Sequence, residues 1–85
     1  MLLNPDLEIQ GMKLPSIGYK CLSRILRSLG WKEARMRGSH VIFRKNGEIV
    51  VIPSYKEYSK GLLLKILAQA GITREEFLSL YEDLC

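Results

Sequence analysis

The sequence predicts an α+β domain in the order α-β-β-β-α-α: a three-stranded antiparallel sheet with helices on one face, plus a short C-terminal helix. Three observations carry this. Residues 17–29 and 60–70 repeat apolar side chains at helical spacing, and between them "HVIFRK" and "EIVVIP" flank Asn46-Gly47. Thr73 with Glu76 marks the start of one more helix.

Taken in order, residues 1–11 read as an N-terminal extension, and residues 12–85 as a single domain opening at Met12 in "MKLPS". Pro15 and Ser16 lead into a first helix from Ile17 to Leu29, with Ser16 as its N-cap. Leu22, Ile25, Leu26 and Leu29 share one face, while Lys20, Arg24 and Arg27 stay off it. Gly30 follows as the C′ residue. "WKEARMR" is the weakest strand, because its alternation is poor.

"HVIFRK" and "EIVVIP" are rich in β-branched and aromatic residues, and Asn46-Gly47 between them specifies a two-residue type I′ turn. That turn sets the register: Lys45 opposes Glu48, Phe43 opposes Val50, and Val41 opposes Ile52. Val41, Phe43, Val50 and Ile52 form a wholly apolar face, the side that helices should cover. His40, Ile42, Arg44, Ile49 and Val51 lie on the other, so His40 is expected to point away from the core. After the polar "SYKEYSK", a helix from Lys60 to Ala70 carries Leu63, Ile66, Leu67 and Ala70 on one face, with Gly71 at C′. The Thr73–Glu76 capping box and the Ile72–Phe77 staple then open a last helix, Arg74 to Glu82.

Composition narrows the function classes. A chain of 85 residues buries only about 60–65% of its unfolded surface, so a second domain is not expected. Its longest apolar runs fall far short of the roughly 20 residues that span a bilayer. "MLLNPDLEIQ" lacks the basic and apolar regions of a secretory leader, which points to a soluble cytoplasmic protein. Cys21 and Cys85 match no C-x-x-C spacing and are expected to be free thiols. With a single histidine and no cysteine cluster, no metal site is expected. The net charge is +4, and most of the 13 basic residues precede position 61, whereas "TREEFLSLYEDLC" is acidic. That asymmetry suits a polyanion-facing portion, although ordinary solvated charge would look the same.

Several catalytic patterns fail. Ser39 and His40 are adjacent, so in a strand they point to opposite faces and cannot form a dyad. No phosphate-binding or dinucleotide-binding glycine loop and no H-E-x-x-H appears. Glu75 and Glu76 belong to a helix start, where they complement the dipole. What remains is His40 among Arg35, Arg37, Arg44 and Lys45, with Lys32 extending the patch. An imidazole can take the proton of an RNA 2′-hydroxyl so that the oxygen attacks its own 3′ phosphate, and guanidinium groups can hold that phosphate. Gly38 would allow close backbone approach, and Ser39 could bond a phosphate oxygen. Tyr55 and Tyr58 are candidates for stacking on a base, or for simple surface packing. The residues by themselves leave His40 open between catalysis and mere exposure at a strand start.

The pieces "KLPSI", "LGW", "RGSHVIFR" and "KGLLLKILAQAGITREEFL" occur in order from about Lys13 to Leu80. As a set this stretch resembles the HicA family of mRNA interferase toxins. The resemblance implies a double-stranded-RNA-binding-like fold. It implies a metal-independent and ribosome-independent ribonuclease without cofactors, whose key histidine is His40. It also implies a HicB-like antitoxin that covers the His40 face and represses the shared operon. The chain departs from the family pattern in residues 1–11, in Val41 where a polar residue is frequent, and in Leu62 where threonine is common. Two other readings use the same features: a non-catalytic RNA-binding module, and a toxin-like protein kept only for binding a HicB-like partner.

Overall fold

The computed structural model describes residues 14–85. The extension expected over residues 1–11 lies outside them. The elements are α1 (Tyr19–Ser28), β1 (Lys32–Arg37), β2 (His40–Lys45), β3 (Glu48–Pro53), α2 (Lys60–Gln69) and α3 (Arg74–Leu84). The strands form one antiparallel sheet in the order β1-β2-β3. This is the α-β-β-β-α order that the resemblance implies, followed by the extra helix.

The β2–β3 hairpin is built as its turn residues require. Asn46 and Gly47 both take positive φ, 50° and 82°, the pair of left-handed residues that a type I′ turn needs. Lys45 pairs with Glu48, Phe43 with Val50 and Val41 with Ile52. The inward residues Val41, Phe43, Val50 and Ile52 are buried and join Leu22, Ile25 and Leu26 of α1 with Leu63, Ile66 and Leu67 of α2 in one core. Burying a large apolar side chain contributes about 1.5–3 kcal/mol, so this layer supplies most of what holds so small a domain together.

Helix α1 begins later than the sequence suggests. Its N-cap is Gly18, not Ser16, and no side chain caps it. The reason is tertiary: the Ile17 carbonyl accepts from the Tyr58 N–H, and the Tyr19 N–H donates to the Tyr55 carbonyl, both at 2.8 Å. These bonds hold residues 17–19 against the loop before α2. A Cβ on Gly18 would collide with the Lys56 carbonyl oxygen, so only glycine permits the approach. Helices α2 and α3 start at Lys60 and Arg74 as expected; Thr73 caps α3 as read, and Ser59, not singled out in the sequence, caps α2, their hydroxyls accepting from the N–H groups of Glu76 and Leu62. Ile72 and Phe77 are buried together, as the staple requires.

The cysteines differ from expectation. Cys21 and Cys85 are joined in a disulfide, with Cα atoms 5.6 Å apart. Helix α3 packs along α1, its end lies close enough for Arg24 Nη1 to reach the Leu84 carbonyl at 3.4 Å, and this brings the last residue beside Cys21. Two cysteines 64 positions apart give no local sign of that docking. No helix among the described residues is long and apolar enough to cross a membrane.

Candidate functional site

His40 opens β2 directly after the Gly38-Ser39 turn. Gly38 takes a φ of 60° in open space, so glycine serves the turn and not a packing need. The Ser54 N–H donates to the Ser39 carbonyl at 2.7 Å and ties this turn to the chain leaving β3. His40 is thereby placed between Arg37 on β1 and Pro53 on β3.

A bulge then decides which charges join it. Strand β1 pairs Arg37 with His40 and Arg35 with Ile42, but the register shifts between Glu33 and Arg35, and Lys32 pairs with Arg44. In a regular strand, Lys32 would point opposite to Arg35 and Arg37. One extra residue, Ala34, flips the alternation, so Lys32, Arg35, Arg37 and Arg44 all share the outer face with His40. Residues directly opposite in an antiparallel pair lie on the same face. All four cations are exposed, and so is His40. The acids of the hairpin lie elsewhere. Glu48 pairs with Lys45, and Glu33 pairs with Phe43 and sits 3.3 Å from Arg27 of α1. The Tyr19 hydroxyl donates to the same Glu33 oxygen at 2.7 Å, and burial followed by that bond raises its pKa. Every position paired on the outer face is thus basic, apolar or His40, with no carboxylate opposing a cation.

Lys45 departs from this group. It alternates with Arg44 onto the helix side, where its ammonium lies 6.0 Å from the centre of the Trp31 ring. The two tyrosines also separate. Tyr58 is buried, and its hydroxyl donates to the Pro53 carbonyl, which excludes it as a stacking surface. Its burial pushes the hydroxyl pKa well above the ordinary value. Tyr55 is 48% exposed and remains available.

Two residues that the sequence did not single out, Lys65 and Gln69, lie near His40. A groove of about 630 Å³ runs from His40 across Val51 to α2, where Leu62, Lys65 and Gln69 form its far wall, and Tyr55 stands at its end. Lys65 and Gln69 are four apart and share a helix face, a stripe legible in the sequence. Only the packing of α2 beside β3 shows that this stripe faces His40. Among the described residues, no group of three His, Cys, Asp or Glu side chains is placed to hold a metal ion.

Residues 19–72 match a family model described as the HicA toxin of bacterial toxin–antitoxin systems. Comparison with curated proteins finds no match. The matched stretch runs from the first residue of α1 through the sheet and α2, includes His40, and stops before α3. It spans more than half of the 85 residues, and the chain belongs to the HicA family of toxins.

Proposed function

We propose that this toxin is an endoribonuclease that cleaves mRNA without a metal ion, with His40 as general acid/base, and that a HicB-like antitoxin restrains it. One observation carries the reading: the chain's single imidazole is exposed on a sheet face that it shares with four cations, and no strand position paired with them carries a carboxylate among the described residues. In this reading the four cations Lys32, Arg35, Arg37 and Arg44 hold the RNA backbone through charge-assisted hydrogen bonds, and Gly38 and Ser39 form the turn that the backbone passes.

The reaction needs only groups on this face and a proton from solvent. Neutral His40 accepts the 2′-hydroxyl proton as the 2′ oxygen forms a bond to the adjacent phosphorus. The bond from phosphorus to the 5′ oxygen of the next nucleotide breaks, and that oxygen leaves with a proton from solvent. The products are a 2′,3′-cyclic phosphate and a 5′-hydroxyl end. Arginine donors on the phosphate offset the charge that builds on its free oxygens. An mRNA substrate places the action in the cytoplasm.

The same face suits an antitoxin. Ile49 and Val51 are 52% and 42% exposed and line the same groove as His40, and a partner that fills it would cover the imidazole as well.

The test is cleavage of mRNA in excess EDTA by wild type and His40→Ala. General acid/base help is worth about 10²–10⁴ in rate, so the wild type should yield cyclic-phosphate fragments and the variant a rate lower by that factor. Equal cleavage by the variant sinks the assignment. Binding without cleavage by the wild type makes the chain an RNA-binding module.

A further inference from the structure

The sheet face accounts for phosphates and for one imidazole, but not for the groove beside it. That groove combines an apolar floor, one cation, one amide and one aromatic ring. Val51 and, on the α2 side, Leu62 supply its apolar surface, while Lys65 and Gln69 line it from α2. Tyr55, 48% exposed, supplies the ring. The Tyr55 carbonyl accepts from the Tyr19 N–H at 2.8 Å. Its neighbour Ser54 is tied to Ser39, and Tyr58 bonds the Ile17 and Pro53 carbonyls. An aromatic side chain is thus presented to solvent on a backbone fixed on both sides, beside the histidine. A ring held in this way loses little conformational freedom when something stacks on it.

We propose that this groove holds one unpaired nucleotide of the RNA, so that the substrate is single-stranded at the cleavage site. The base stacks on Tyr55 over Val51 and Leu62. Gln69, with both a donor and an acceptor on its amide, reads the base edge, and Lys65 holds the flanking phosphate. Charge complementarity selects the occupant, since the groove shares His40 with the face of Lys32, Arg35, Arg37 and Arg44, where among the described residues no paired strand position carries a carboxylate. Duplex RNA does not fit this role, because its bases are stacked on each other and their edges are paired; sequence-specific RNA readers stack splayed bases on aromatic rings. The inference rests on the ribonuclease reading for its substrate but makes its own demand, namely that base recognition lies at Tyr55 and Gln69, outside the basic face.

The experiment separates the two. A 2′-fluoro tetranucleotide has no 2′-hydroxyl to attack, so its binding is read apart from cleavage. Fluorescence anisotropy should show a longer 2′-fluoro oligonucleotide, long enough to hold a stable duplex, binding more tightly as a single strand than when annealed to its complement. Tyr55→Ala should weaken it by about tenfold, as expected for one lost stacking contact, and Tyr55→Phe should retain it within about twofold, since phenylalanine presents the same kind of stacking face. Gln69→Ala should level the affinities of tetranucleotides that differ in one base. Lys65→Gln should weaken all of them alike and reduce the salt slope by about 0.7, the single-strand value for one phosphate. Equal or tighter duplex binding, no binding at all, or no effect of Tyr55→Ala overturns the inference, even if mRNA is cleaved. Binding in the expected pattern with no cleavage of ordinary mRNA leaves the groove assignment standing and removes the ribonuclease reading instead.

Discussion

Along β2, Val41 and Phe43 point inward and are fully buried, while His40 and Arg44, their neighbours in sequence, point outward and are exposed. The inner face meets Leu22, Ile25 and Leu26 of α1, while Ile49 and Val51 on the outer face stay exposed. Adjacent residues therefore answer to different demands. Inward positions are governed by apolar area and shape, and outward ones by contact with solvent. A six-residue strand can serve both because its side chains alternate with a period of two. The contrast also explains why the toxin tolerates so dense a cluster of like charge: the cations sit in water, where mutual repulsion is weak.

Substitutions at neighbouring positions probe this division most strongly. Phe43→Ala should cost about 3–5 kcal/mol, measured by urea unfolding, because it leaves a cavity between sheet and helices. Arg44→Ala, one residue on, should change stability by no more than about 0.5 kcal/mol yet lower the salt slope of RNA binding by about one. Comparable destabilisation by both would break the two-face description. Next in size is the disulfide. Cys85→Ser opens a loop of 64 residues and should lower stability by up to about 4 kcal/mol, while cleavage below the melting temperature stays unchanged. Lost cleavage in a folded variant would mean that α3 acts on the outer face after all.

The smallest effect concerns Tyr58, which reaches from the core to the back of Pro53, the residue paired with His40. Its folded pKa is raised, so the protonated form is the one that folding favours. The contribution is fully present below the unfolded value of about 10 and is lost as pH rises beyond it, by at most about 1.4 kcal/mol per pH unit. Tyr58→Phe should cost about 0.5–1.5 kcal/mol at neutral pH and flatten stability above pH 10. An unchanged alkaline slope would assign that loss to other groups.

Much of this architecture was legible. The register of the β2–β3 hairpin, the outward direction of His40 and the starts of α2 and α3 were all predicted correctly from residues no more than a few positions apart. The start of α1 was misplaced because Gly18 meets Lys56, a contact that no local pattern reveals. Strand β1 read poorly for a specific reason, since the bulge at Ala34 breaks the alternation on which such reading depends. Cys21 and Cys85 read as free thiols because their pairing waits on the docking of α3 along α1.

By itself, then, the sequence determined the hairpin, the apolar inner face and the placing of the one histidine on the outer face. Turn, capping and alternation rules act within about four residues, and Asn46-Gly47 and Thr73-Glu76 satisfy them on the spot. Tertiary structure decided that Lys32 joins the arginines, that Lys45 leaves them for Trp31, and that Tyr55, Lys65 and Gln69 gather beside His40. Those outcomes depend on how separate elements pack against one another, and the distance along the chain between the residues concerned carries no information about it.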